Sequence, residues 1–427
     1  MNKKKLIGIL KNEMIPAMGC TEPAAGALAG AKSREILGTA DILKVEVFAS
    51  RDMVKNAMGV GLPNCSLKGI LAAVGLGIAC GDTSKKLSIL SSISEDQIRF
   101  AESLDSTLTL VRDVPPLYVK VRLESATSSA VATISGEHDR YAYLEKDGEV
   151  LLDLPLSVES QNAETSDRDT LSQLSLSDIV AFADKVTAKD VPFILEAVDV
   201  NMAIAKHSIS GNYGLQVGKT MAGKVRAVPK SLDEAFRLGS SLAAAGSDAR
   251  MSGCSMPVVI NSGSGNQGIT VTVPVKVVSD FLDKTENGLV KAVCVSELVG
   301  LVLTARKDRL SALCGAFTAS IGTACAYCYL LGGRESEMDY CINSMVGNLT
   351  GIICDGAKNT CALKIYSCLE AAAMSVSLAF RGFYPGKESG IVGETSWDSI
   401  DSLSRITKEG MESTDKTILE IMIEKNC

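Results

Sequence analysis

The sequence predicts an α+β fold, with a mostly helical main domain and a smaller α+β module in the N-terminal half. Three observations carry this expectation. Helical periodicity dominates from about residue 171 onward, while strand-like alternation clusters between residues 42 and 144. The composition, 46% hydrophobic but only 4% aromatic with 37 glycines, suits helices of small residues packed closely together. A chain of 427 residues has room for two or three domains.

In chain order, Lys3 to Gly38 reads as two helical pieces broken at Pro16–Pro23. The second piece runs from Pro23 to Leu37, with Thr21 expected at the N-cap, Pro23 in the first turn and Gly38 past the end. This segment, residues 1–40, carries Cys20 and is expected to pack with the helical domain. Ile42 to Ala49 alternates like a strand, and Met58 to Gly81 reads as a turn followed by a packed helix. Further strand signals lie at Thr107–Val111, Leu117–Leu123, Ser129–Ile134 and Arg140–Leu144, which makes residues 41–157 the α+β module. The acidic, polar run Ser157–Asp169 reads as a linker. The helical domain, 170–427, is expected to contain helices at Leu171–Thr187, Val191–His207, Leu232–Ala245, Val277–Thr304, Ser311–Leu331 and Cys361–Phe380.

Charge and composition exclude several classes. A net charge of −7 leaves no electrostatic footprint for a nucleic-acid partner, and Lys3-Lys4-Lys5 reads as a solvated end. The apolar run Leu6–Leu10 is too short for a signal peptide. Ser311–Gly333 is uncharged and long enough to span a bilayer, but its Gly, Ser, Thr and Cys content favours a buried central helix pair. No second segment of that length is apparent, so no membrane partner is expected. Thirteen cysteines without a secretion signal point to a reducing, cytoplasmic setting rather than a disulfide framework. With only His138 and His207, zinc hydrolase sites and Ser-His-Asp triads are improbable.

Four constellations have chemical potential. Cys20, in Pro16-Ala-Met-Gly-Cys-Thr-Glu-Pro23, directly precedes a helix start. There a helix dipole lowers a thiol's pKa, although the position equally suits a thiol that packs beneath the cap. The turn around Asn56, Gly59 and Gly61 offers backbone N–H groups for a carboxylate, or is simply a turn. Asn261-Ser-Gly-Ser-Gly-Asn-Gln-Gly268 concentrates glycines and hydrogen-bonding side chains, including Ser264, Gly265 and Asn266, as polar-ligand loops do and as linkers also do. Finally, Cys354 and Cys361 flank a loop containing Gly356 and ending at a helix start. Thiolates are the ligands an iron–sulfur cluster requires, but spacing alone does not select one, because the usual C-x-x-C-x-x-C run is missing; the Cys325-Ala-Tyr-Cys328 pair inside an apolar helix reads as core packing.

Taken together, these segments resemble the L-cysteine desulfidase family, whose catalytic part is similar to the α-chain domain of bacterial iron–sulfur L-serine dehydratases. The resemblance rests on the Cys20 motif, Lys55-Asn-Ala-Met-Gly-Val-Gly61, the Gly263–Gly268 loop, Arg309-Leu-Ser-Ala-Leu-Cys-Gly315 and Cys354-Asp-Gly-Ala-Lys-Asn-Thr-Cys361. It implies a [4Fe–4S] cluster held by Cys314, Cys354 and Cys361, with one iron left open as a Lewis acid. It further implies that Cys20 removes the Cα proton of a small amino-acid substrate while the 264–266 donors stabilise the developing charge. Sulfide then departs from L-cysteine, and aminoacrylate goes on to pyruvate and ammonia. L-Serine dehydratase chemistry on the same scaffold is one alternative, and a non-enzymatic iron–sulfur sensor another. No residue demands pyridoxal phosphate. The apolar helical half points to a homo-oligomer. Cys427, on the terminal tail, reads either as a plug for the open iron or as a frayed end.

Overall fold

In the computed structural model, which describes residues 3–39, 41–156, 164–307 and 311–425, the first two helices serve different cores. Lys3–Glu13 buries Leu6, Ile9 and Leu10 in the helical core. Thr21–Leu37 instead packs with the sheet, so residues 1–40 do not go as a unit with the helical domain. The division falls near the short strand β1 (Pro16–Met18), and the buried run Ala24–Ala31 of the second helix is small and apolar enough to lie close against a sheet.

The α+β expectation holds. β2 (Lys44–Ser50), β3 (Ser106–Val111), β4 (Tyr118–Glu124), β5 (Ser129–Ser135), β6 (Tyr141–Lys146) and β7 (Glu149–Asp153) form one sheet in the order β3-β2-β4-β5-β6-β7. The β2–β3 pair is parallel and the others antiparallel. Helices Thr21–Leu37 and Gly69–Cys80 cover the sheet and touch each other through small residues. A Cβ at Gly77 would lie 1.9 Å from the Ala27 carbonyl oxygen, which explains why this pair is rich in Ala and Gly.

The helical body is built around Leu232–Met251, which packs against Pro192–Ser210, Gly265–Phe281 and Cys361–Ala379. Several elements differ from expectation. The helix expected over Val277–Thr304 is two helices, Gly265–Phe281 and Glu286–Lys307, broken where Asp283 takes a left-handed φ of 50°. The expected central helix pair over 311–333 is one buried helix, Gly315–Leu330. The helix expected from Leu171 is divided into Glu164–Ser172 and Leu176–Lys185, the second started by a Ser175/Asp178 capping box. Glu286–Lys307 and Cys361–Ala379 are both long and apolar enough to cross a membrane, contrary to the expectation of no second such segment; the first is mostly buried inside the protein. Cys325 and Cys328 are buried in the core. Most of the Ser157–Asp169 linker, Arg309 and Cys427 lie outside the described residues.

Two long-range connections join the α+β module to the helical body around Cys20 and Asn56. β1 pairs antiparallel with β8 (Pro257–Val259), bringing Cys20 beside the start of the Gly265–Phe281 helix. The C-terminal helix Glu412–Glu424 returns to the α+β module, where Leu419 joins the core and Asp415 meets Lys55 at 2.5 Å.

Candidate active site

Cys20 is itself the N-cap of Thr21–Leu37, with extended backbone (φ −98°, ψ 139°). Thr21, expected at that position, is the first helical residue. Its hydroxyl turns instead to Glu22 Oε2 (3.2 Å) and the Gly263 carbonyl (3.4 Å). The Cys20 thiol donates to Glu22 Oε2 at 3.1 Å, and Asn56 Nδ2 donates to Glu22 Oε1 at 3.1 Å. All three side chains are buried.

This environment reverses the expected pKa shift. Burial first, and the Glu22 charge second, push the Cys20 thiol far up, and Arg250 offsets this only in part. The helix-end location is thus outweighed by desolvation and a neighbouring anion. Burial also acts to raise Glu22, but His138, the Cys20 thiol, its own backbone N–H and Arg250 together hold it below the usual carboxylate range. The pair therefore stands as thiol and carboxylate, with the proton on sulfur.

The polar loop reaches this centre from the helical body. Ser262 (φ 52°) and Gly263 (φ 79°) form a two-residue turn closed by reciprocal bonds between Asn261 and Ser264. From Gly265 onward the expected loop is already helix, with Ser264 Oγ capping the Gln267 N–H at 3.4 Å. The N–H groups of Gly265 and Asn266 open this helix and have no intrahelical acceptor. A Cβ at Gly265 would lie 2.5 Å from Arg250 Nε, so glycine is required for Arg250 to lie flat there. Asn266 Nδ2 contacts Met251 Sδ at 3.6 Å, and Met251 packs with Cys20 and Val60. Beneath the turn, Asn261 donates to the buried Glu297 at 2.6 Å.

The glycine turn near Asn56 behaves differently from an anion nest. Val60 N–H is directed to the Ala57 carbonyl and Gly61 N–H to that of Met251, so neither is available to a carboxylate. Gly61 is there for close approach, since a Cβ would lie 2.8 Å from the Ser252 backbone. Gly59 lies against the Lys358 side chain.

Cys314 lies near enough to Cys354 and Cys361 to feel their charge. Backbone bonds Cys314 N–H to Ile352 O (3.0 Å) and Cys354 N–H to Ala312 O (2.6 Å) join the two cysteine segments in a short antiparallel bridge. Cys314 caps the Gly315–Leu330 helix, and Cys361 opens Cys361–Ala379 and packs against the Cys20 cluster. Burial, then its neighbours Cys354 and Cys361, push the Cys314 thiol up to about 12. Burial likewise raises Cys361, which accepts from the Lys358 N–H at 3.5 Å. Lys364, paired with Asp355, and Lys358 bring positive charge to the thiols. Gly356 (φ 89°) lets the loop lie on the Lys55 carbonyl.

Among the described residues, no group of three His, Cys, Asp or Glu side chains is close enough to hold a single metal ion. The donor set fits a multi-iron cluster better, since there each thiolate binds a different iron and nearby cations compensate its negative charge. Binding would displace the thiol protons. Glu22, Arg250 and Gln267 belong to the site but are not singled out by the sequence; only their places beside Cys20 and in the 261–268 loop hint at them.

The class of the protein is that of a serine dehydratase-like lyase. The serine dehydratase alpha chain family model matches residues 84–420, and the chain belongs to that family. It is 38% identical to a UPF0597 protein of Clostridium perfringens (strain SM101 / Type A), covering 97% of both chains. It is 36% identical to UPF0597 proteins of Parabacteroides distasonis, over 100% of this chain and 99% of the relative, and of Bacteroides thetaiotaomicron, over 99% and 98%.

Proposed function

We propose that this protein is a cytoplasmic, homo-oligomeric, [4Fe–4S]-dependent lyase that eliminates sulfide from L-cysteine to give pyruvate and ammonia. The observation that carries the reading is the approach of Cys314, Cys354 and Cys361 to one another, with Cys361 packed against the cluster containing Cys20. Those three cysteines would hold the cluster, which when bound supplies a Lewis-acidic iron to the substrate.

The chain's own residues supply the proton chemistry. Cys20 accepts the Cα proton as its own proton passes along the 3.1 Å hydrogen bond to Glu22. Asn56 holds the other carboxylate oxygen and keeps Glu22 oriented. The Cα–H electrons form the Cα–Cβ double bond as the Cβ–S bond breaks and sulfide leaves. The resulting aminoacrylate tautomerises and adds water to yield pyruvate and ammonia. Ser264, Gly265 and Asn266 stabilise the charge that develops during proton removal.

The family's name supports serine as a rival substrate, because hydroxide leaves from the same carbon as sulfide. Anaerobically reconstituted protein should show a higher kcat/KM for L-cysteine than for L-serine. The reverse order would assign it as a serine dehydratase, and turnover of neither would reject the lyase reading.

A further inference from the structure

We infer that Arg250 and Gln267 form the recognition site for a zwitterionic α-amino acid, with Arg250 taking the α-carboxylate and Gln267, helped by Asn266, taking the α-ammonium. The inference rests on the proposed amino-acid lyase reading and deepens it.

Arg250 lies one residue from the end of the Leu232–Met251 helix and is only 3% exposed. Its Nε donates to the Gly19 carbonyl at 3.1 Å, which fixes the guanidinium beside Cys20. Among the described residues, its two terminal nitrogens have no hydrogen bond or ion pair within the chain. Glu22 is near enough to feel its charge but does not pair with it. A buried guanidinium without a carboxylate partner is costly, and its remaining fork of donors matches a carboxylate in bidentate geometry.

The adjacent helix start contributes complementary groups. Asn266 (9% exposed) and Gln267 (6%) each keep a buried side-chain oxygen, Oδ1 and Oε1, without a hydrogen-bond partner. Two buried acceptors on neighbouring residues call for a donor, and an ammonium offers three. Gln267 lies over Gly315, where a Cβ would meet its amide at 2.8 Å, so its head group is held beside Cys314. Gly265 places Arg250 against the same helix end. Donors for an anion and acceptors for a cation thus stand together between Cys20 and Cys314, the complement of the two charges an α-amino acid presents.

The test is equilibrium binding, measured by calorimetry on the full-length protein, of three probes that cannot undergo elimination of a β-substituent. L-Alanine carries both groups, L-lactate keeps the carboxylate and replaces the ammonium, and L-alaninamide keeps the ammonium and removes the carboxylate. Arg250→Gln should weaken L-alanine and L-lactate at least tenfold and leave L-alaninamide unchanged. Gln267→Leu should weaken L-alanine and L-alaninamide and leave L-lactate unchanged. Thermal melting checks both variants, and if Arg250→Gln does not fold, Arg250→Lys together with Gln267→Leu decides. Equal losses for all probes, unchanged affinities, or no L-alanine binding by the unmodified protein would overturn the inference. Selective losses in a protein that eliminates nothing from cysteine or serine would uphold the recognition site and reject the lyase reading instead.

Discussion

The Cys20 thiol and the Glu22 carboxylate, two residues apart in sequence, face each other across 3.1 Å with the proton on sulfur. A buried thiol in that state is no base by itself. The neighbouring carboxylate, kept ionised and held by Asn56, gives its proton somewhere to go. Glu22→Gln should therefore lower kcat by about 10² or more, with iron content unchanged. Steady-state kinetics alongside iron analysis checks this, and an unaltered kcat would remove Glu22 from the proton path.

Cysteines are abundant in this chain, so the ligand assignment is best tested by contrast. Cys314→Ser, Cys354→Ser and Cys361→Ser should each lose most iron and visible absorbance after anaerobic reconstitution. Cys328→Ser should retain both, because Cys328 is buried 3.2 Å from Cys341 inside the core. Equal iron content in all four variants would reject the triad.

Lys55 is 1% exposed and joined to Asp415 at 2.5 Å, tying the C-terminal helix to the element that carries Asn56. Removing Asp415 leaves the buried Lys55 only its longer, 3.6 Å contact with Asp52. Asp415→Ala should cost about 3–5 kcal/mol in reversible denaturant unfolding. A loss of under about 1 kcal/mol would mean the pair behaves like an exposed one.

Glu297, beneath the Asn261 turn, is raised by burial from 4.5 to about 8, although its bond from Asn261 opposes the shift. The folded protein thus keeps a proton that the unfolded chain releases. This contribution to stability is complete below about 4.5 and is lost as pH rises through about 8. Melting temperatures across that range should fall less steeply for Glu297→Gln than for the unmodified protein. Parallel curves would show that Glu297 does not carry the dependence.

Much of the framework is legible in the residues. The strands between Lys44 and Lys146 follow from alternation, and Gly38 ends its helix in the left-handed conformation its position predicts. What escapes the sequence are features set by tertiary contact. The break at Asp283 is an exception, since it lies in the polar run Asp283-Lys-Thr-Glu-Asn-Gly288, a turn signal that the expected Val277–Thr304 helix passes over. The Cys20 shift runs against expectation because helix position is local, whereas burial and the orientation of Glu22 come from packing. Arg250 carries no motif of its own; its place beside Gly19 depends on β1 meeting β8 and on Gly265 yielding space.

The most direct test of a lyase centred on Cys20 is the release of sulfide and pyruvate from L-cysteine by anaerobically reconstituted protein, compared with Cys20→Ala. Equimolar sulfide and pyruvate are expected from the unmodified protein. Almost none is expected from the variant, whose iron content should be the same. Undiminished release by Cys20→Ala, or none by either protein with its cluster intact, would contradict a Cys20-centred elimination.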